Sequence, residues 1–93
     1  MHDELTTVPG VGPSIAADLR HLGVHSIREL AEADPEALYA RLREITGHDH
    51  DPCVLYTFRC AVYAARTPAQ QQDRDLLKWW NWKDRRLDPV MNP

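Results

Sequence analysis

The residues best suited to chemistry in this chain are Pro9-Gly10-Val11-Gly12-Pro13, followed by Ser14 and Ile15. Glycine turns through φ > 0 without a Cβ clash, so two glycines one residue apart favour a tight turn with a bare surface that another backbone can approach. Where such a turn opens a helix, the main-chain N–H groups at Gly10, Gly12, Ser14 and Ile15 have no helical acceptor and converge on an anion site. The predicted chemistry is recognition of a phosphate by the turn Gly10, Val11, Gly12, Ser14 and Ile15. Arg20 and Arg28 are the basic side chains expected to assist from beside it.

A second group, His48, His50 and Cys53 with Asp49 and Asp51 between them, crowds metal-ligand types into six positions. A zinc site needs about four ligands in tetrahedral array, usually as two spaced pairs. His-x-His-x-x-Cys supplies three at most in an uncommon spacing, so no metal is expected and the segment reads as a polar loop ending in a helix cap. Cys53 at a helix start, near His50 in sequence, has the setting of an activated thiol. Free cysteine is nonetheless among the most buried residue types, and Cys53 and Cys60 share a stripe with core positions, so packing is the expected role. On one helix, about 10 Å of rise separates them, too far for a disulfide. The sequence holds no Ser-His-Asp pattern, phosphate-binding P-loop or dinucleotide fingerprint, so neither catalytic residues nor a cofactor are expected, and the reading is non-enzymatic.

A third group is Lys78, Trp79, Trp80, Trp82, Lys83, Arg85 and Arg86, with every tryptophan of the chain inside residues 79–82. Adjacent helical positions point about 100° apart, so the rings cannot all face inward. One or two are expected on the core. An exposed one beside Lys and Arg suits stacking on nucleic-acid bases, anchoring of a protein partner, or self-association.

The elements that must position these groups follow from spacing and caps. Ile15, Leu19 and Leu22 recur at i, i+4, i+7 and Gly23 stands at the expected C-terminal cap, giving the sequence form of a helix-hairpin-helix with a brief first helix through Leu5 and Val8, capped by Asp3. Ser26 and Glu29 form a capping box before Ile27, Leu30 and Ala31. Asp34-Pro35 starts a fourth helix through Leu38, Leu42 and Ile45, stopped by Gly47; Asp51-Pro52 starts a fifth through Val54, Leu55, Phe58, Ala61, Val62 and Ala65, the one expected to organise the core. Residues 26–46 read as a second, degenerate hairpin unit whose corner, Ala33-Asp34-Pro35-Glu36, carries carboxylates that repel phosphate. The expected fold is all-α: a compact five-helix domain of two helix-hairpin-helix units over residues 1–66, a helical Trp-rich extension packing on it over 67–86, and a flexible tail over 87–93.

Ninety-three residues make one domain, too small for an elaborate enzyme with its own scaffold. The net charge of -3 is uneven: residues 1–65 hold 10 Asp/Glu against 5 Arg, whereas residues 66–93 hold 6 Lys/Arg against 4 Asp. Affinity for nucleic acid comes mainly from Lys and Arg neutralising phosphates, so an acidic body argues against tight DNA binding by that body alone. The acidic start, Met1-His2-Asp3-Glu4, leads into no apolar signal region, and no run has the length of a membrane span. Two cysteines without a disulfide framework fit a reducing compartment, so a cytoplasmic protein with no membrane partner is expected.

The order of motifs is itself informative: Val8-Pro9-Gly10-Val11-Gly12-Pro13-Ser14-Ile15-Ala16-Ala17-Asp18-Leu19-Arg20, then Leu30-Ala31-Glu32-Ala33-Asp34-Pro35-Glu36-Ala37-Leu38-Tyr39, then Asp51-Pro52-Cys53-Val54-Leu55 with Phe58-Arg59, then Lys78-Trp79-Trp80-Asn81-Trp82-Lys83-Asp84. Over roughly residues 5–84 it resembles the bacterial pathogenicity-locus family of small helix-hairpin-helix proteins, some of whose members carry a mitomycin-resistance label. The resemblance implies a DNA-related role, tolerance of DNA damage among them, without an established reaction. Many DNA-binding hairpins place Lys or Arg where this chain has Ser14, and basic residues or Thr where it has Ala16 and Ala17. Asp18 adds an opposing charge one turn on. DNA binding is therefore expected to be weak, independent of sequence and salt-dependent, with a protein-interaction or homodimerisation module built on the Trp-rich segment as the competing reading.

Overall fold

The computed structural model describes residues 4–86; the expected Asp3 cap and the tail 87–93 lie outside the described residues. The described chain is helical throughout, with α1 (Pro13–His21), α2 (Ile27–Ala31), α3 (Pro35–Thr46) and α4 (Pro52–Arg66), and no strand. The count departs from the five helices expected. Leu5 and Val8 do drive the N-terminal segment into the core, but Glu4–Thr7 forms a single 3-10 turn in place of a first α-helix. So short a segment cannot meet the cost of helix nucleation, and one tight turn suffices to bury Leu5.

Local caps set the other boundaries. α1 ends where Gly23 takes φ +89. The Val24 N–H then reaches the Leu19 carbonyl at 2.9 Å and the Gly23 N–H reaches that of Arg20 at 3.0 Å, a paired closure with Val24 and Leu19 both buried beside it. Ser26 accepts from the Glu29 N–H at 3.1 Å, and the Glu29 carboxylate returns to the His25 N–H at 3.1 Å, one residue earlier than the expected capping box would place it. Asp34 and Asp51 cap α3 and α4, each with proline at the first helical position. Gly47, at φ +75, closes α3. Ile45, expected on the inner face of α3, is 50% exposed, one residue before the helix ends at Thr46.

α4 carries the core. Phe58, Cys60, Ala61 and Val62 are fully buried on it, with α2, α3 and the C-terminal segment packed around them. Two arginines on the same side of α4, seven residues apart, fasten these neighbours. Arg59, only 5% exposed, donates through Nε to Glu36 of α3 at 2.8 Å and through Nη1 to the Trp82 carbonyl at 2.7 Å. Arg66 donates to the carbonyls of Ala31 and Ala33 at 2.9 and 3.2 Å, serving acceptors left over at the end of α2.

The segment after α4, expected as a helical Trp-rich extension packing on the core, is made of three 3-10 turns, Ala69–Gln71, Arg74–Leu77 and Trp79–Trp82. Side chains hold its backbone against α4. Gln72 donates to the carbonyls of Ala64 and Thr67, Tyr63 accepts from the Asp73 N–H, and Trp82 Nε1 donates to Leu76 at 2.8 Å. Trp82 is 2% exposed, with its ring tilted against Tyr63 at 5.5 Å between centroids.

Replacing Arg59 by Leu strands the Trp82 carbonyl in the interior and leaves Glu36 without its partner. The expected loss is about 2–3 kcal/mol, read as a lower urea midpoint. Glu36→Gln, at a side chain 37% exposed, should cost less than about 1 kcal/mol in the same assay.

Candidate functional site

Gly10 turns the chain through φ +85, and a Cβ built there lies 3.6 Å from the Cys60 sulfur of α4. The turn before it is closed by the Val11 N–H on the Val8 carbonyl at 3.0 Å. Gly12 differs from the expectation drawn from the pair of glycines. It is extended, φ -88 and ψ -179, as the N-cap of α1, with open space around any added Cβ. Gly10 alone uses the left-handed region, and Gly12 contributes an unobstructed approach.

Pro13 has no N–H, and the first helical bond of α1 runs from Ala16 to the Gly12 carbonyl at 2.9 Å. Among the described residues, the N–H groups of Gly12, Ser14 and Ile15 meet no acceptor, and Gly12 and Ser14 are exposed. Val11 sits differently from its neighbours: its N–H is taken and its side chain is 5% exposed, so it anchors the turn from below and has nothing to offer a ligand.

The other helix starts are occupied by the protein's own side chains. Ser26 caps α2, and Glu4 adds a carboxylate that accepts the Ile27 N–H at 2.7 Å. Asp34 takes the Glu36 N–H and Asp51 the Cys53 N–H. Among the described α-helices, α1 is the one whose start has no side-chain cap. The second corner thus carries carboxylates at the position where the first is open, as its sequence indicated.

Arg20 lies in the last turn of α1, about 9 Å of helix rise beyond Ser14, and Arg28 is exposed on α2. Neither lies within the turn itself. Lys78 faces Asp75 at 3.8 Å, Arg85 is placed over the Trp82 ring at 5.8 Å, and Lys83 and Arg86 are exposed. Burial removes Trp82 from any surface role, whereas Trp80 is 56% exposed and meets Trp79 edge to face at 5.8 Å. Sequence reasoning missed what these two rings build: with Asp51, Pro52, Cys53, Tyr56 and Lys83 they line a cleft of about 300 Å³ at the start of α4. The approach of residues 79–83 to residues 51–56 is a tertiary contact with no local signal.

The same region fixes the state of the thiols. Asp51 accepts the Cys53 N–H at 2.8 Å, and hydrogen bonding to that carboxylate, with partial burial and its charge, pushes the Cys53 pKa up. The activation expected of a helix start is thereby reversed. Burial raises Cys60 to about 11, and its Sγ lies 3.5 Å from the Leu76 carbonyl. His50 is held by Thr46 at 2.8 Å through Nε2, and its carbonyl accepts the Tyr39 hydroxyl; His48 bonds the Asp49 carbonyl. Among the described residues, no three His, Cys, Asp or Glu side chains come together as a metal site, and no helix is long and apolar enough to cross a membrane.

No solved structure matches the chain. Among characterised sequences it is 34% identical over 83 residues to the mitomycin resistance protein McrB of Streptomyces lavendulae, an alignment covering 89% of this chain and 73% of that protein. A family model described as pathogenicity locus, Cdd1, matches residues 1–88 and so takes in the open turn, the capped helices and the Trp cleft alike. The chain belongs to the pathogenicity locus family.

Proposed function

We propose that this protein is a non-catalytic DNA-binding protein that grips the sugar-phosphate backbone at the Gly10–Ile15 turn, in the manner of a helix-hairpin-helix, without reading sequence. The observation that carries this reading is the start of α1, with free N–H groups at Gly12, Ser14 and Ile15, no side-chain cap and an open approach at Gly12. A helix start presents donors and partial positive charge together, which suits a phosphate oxygen. Asp18 and the acidic body keep the attraction weak, and the cations after residue 77 supply the non-specific part. The mitomycin-resistance name of the relative supports a place in tolerance of DNA damage.

The non-catalytic part of the proposal rests on the thiols. Cys53 is the side chain best placed to be a nucleophile, and the Asp51 carboxylate pushes its pKa up. The thiolate is the reactive species, so the cap that starts α4 works against nucleophilic use of this thiol.

Gly12→Asp separates binding from folding because it acts on them in opposite directions. An Asp at this N-cap takes over the free N–H groups and should raise stability by a few tenths of a kcal/mol. The same carboxylate repels phosphate, so affinity for labelled duplex DNA in fluorescence anisotropy at low salt should fall by about tenfold or more. Unchanged DNA affinity in the folded variant removes the turn from the mechanism. Gly10→Val, by contrast, should destabilise the fold by about 1–2 kcal/mol, because a β-branched residue is forced to positive φ.

Asp51→Asn tests the thiol. With the carboxylate gone, the Cys53 pKa should move down and iodoacetamide alkylation near pH 8 should speed up, while Cys60 stays protected in the native state. Asp51 is also held below its ordinary range by the Cys53 N–H. A depressed carboxylate contributes stability above its unfolded value near 3.8 and loses it as pH falls through the lower folded value. The stability gap between wild type and Asp51→Asn should therefore narrow in acid melts below about pH 4.

A further inference from the structure

The cleft at the start of α4 has features that the phosphate grip does not use. Its walls are mostly apolar, with one carboxylate, Asp51, and one cation, Lys83, in the lining; that carboxylate is already engaged by the Cys53 N–H. Trp79 and Trp80 both line the cleft and meet edge to face at 88°. Tyr56 closes the opposite side, its ring held by the Arg59 guanidinium at 5.7 Å. Arg59 in turn is locked to Glu36 and the Trp82 carbonyl, so the aromatic walls are built onto fixed parts of the fold. Lys83 stands at the rim and forms no ion pair among the described residues. Arg85 and Arg86 follow it, both exposed.

We propose that this cleft takes an unpaired base of a DNA strand, stacked on the exposed Trp80 ring with Trp79 edge-on beside it, and with Lys83, Arg85 and Arg86 on the adjoining phosphates. The proposal rests on the DNA reading above and names the form of DNA it favours: single-stranded, gapped or overhanging. A basic track beside aromatic faces is the general composition of a single-strand site, since every base offers a π-face to an aromatic ring. A duplex cannot use the cleft, because its bases are already stacked and must be extruded to enter.

Position links the cleft to the turn. Cys53, Tyr56 and Cys60 lie at i, i+3 and i+7 on α4, one stripe of the helix. Cys53 and Tyr56 line the cleft, and Cys60 packs beneath Gly10. Cys53 and Cys60 are offset by about 10 Å along α4, so a strand held at the turn by a phosphate has the cleft within a few nucleotides of its path. An acidic, apolar protein segment satisfies the same charges, but its cations and rings would need a matching array, whereas a nucleic acid carries phosphate and base at every residue.

The test uses the full chain, a single-stranded adenine oligonucleotide and a blunt duplex of equal length, read by tryptophan fluorescence and by anisotropy at low salt. The single strand is expected to quench the fluorescence and to bind more tightly than the duplex, with buried Trp82 supplying a constant background. Trp80→Ala should weaken single-strand binding about tenfold and leave duplex binding unchanged. Its melting temperature should hold, because that ring is 56% exposed. Lys83→Glu should weaken single-strand binding as well. Gly12→Asp should reduce duplex binding while the oligonucleotide still quenches. Equal binding of both DNAs, unaffected by Trp80→Ala, overturns the cleft proposal and leaves the phosphate grip standing. No response to either DNA overturns both. Conversion of a dimer to a monomer by Trp80→Ala in sedimentation, with DNA binding unaltered, overturns the proposal in favour of self-association.

Discussion

A single buried guanidinium ties the parts of this small domain together. Arg59 projects from α4 into the seam where α3 and the C-terminal turns meet, and its planar head bonds a carboxylate from one and a carbonyl from the other. An arginine is fitted to this task because it stays charged at any working pH and offers several donors in a fixed plane. Its burial is tolerable because Glu36 neutralises it from the half-exposed side and Trp82 satisfies a second donor. The third contact, over Tyr56, carries the same order outward to the cleft wall. Gln72, Tyr63 and the buried Trp82 ring also hold the chain after residue 67 against α4, but among these contacts the guanidinium is the one that joins that segment to α3 as well.

Local signals were legible in the sequence and distant ones were not. The stops at Gly23 and Gly47 and the starts at Ser26, Asp34-Pro35 and Asp51-Pro52 are decided within four or five residues, so residue type alone places them. Leu5 and Val8 were read correctly as core, but their element was read as a helix because periodicity cannot distinguish one turn from two in so short a run. Residues 67–86 were read as a helical extension on the core, and what the sequence does not declare is the form of its helix: 3-10 turns fixed by Tyr63, Gln72, Asn81 and Trp82 bonding main-chain groups six to ten positions away. Arg59 was invisible as a core residue, since both its partners lie 23 positions away.

The candidate site shows the same division. The turn was legible because glycine and proline state their backbone needs openly, and the open start of α1 follows from the absence of Ser, Thr, Asp or Asn at position 12. What the sequence does not declare is that the two glycines have different duties. Gly10 is held to a left-handed conformation above Cys60, a structural position, whereas Gly12 is free of neighbours and ordinary in its dihedrals. The cleft was illegible because it is made by two segments more than twenty residues apart, neither of which reads as a wall on its own.

Electrostatics give these two features their relation. The carboxylates of Glu4, Asp34 and Asp51 each lie at a helix start, where they stabilise the fold and at the same time bar an external anion from it. The acidic charge of the body is in this way partly spent on internal donors, and the start of α1 is left as the place where a phosphate meets N–H groups before it meets a carboxylate. Asp51 has the further effect of pushing up the pKa of the Cys53 thiol that lines the cleft. A neutral thiol beside two tryptophans is a soft apolar contact and no longer a reactive one. The same carboxylate shares the cleft with Lys83, so the positive charge that stacking lacks comes from Lys83 together with Arg85 and Arg86, which follow it on the exposed side.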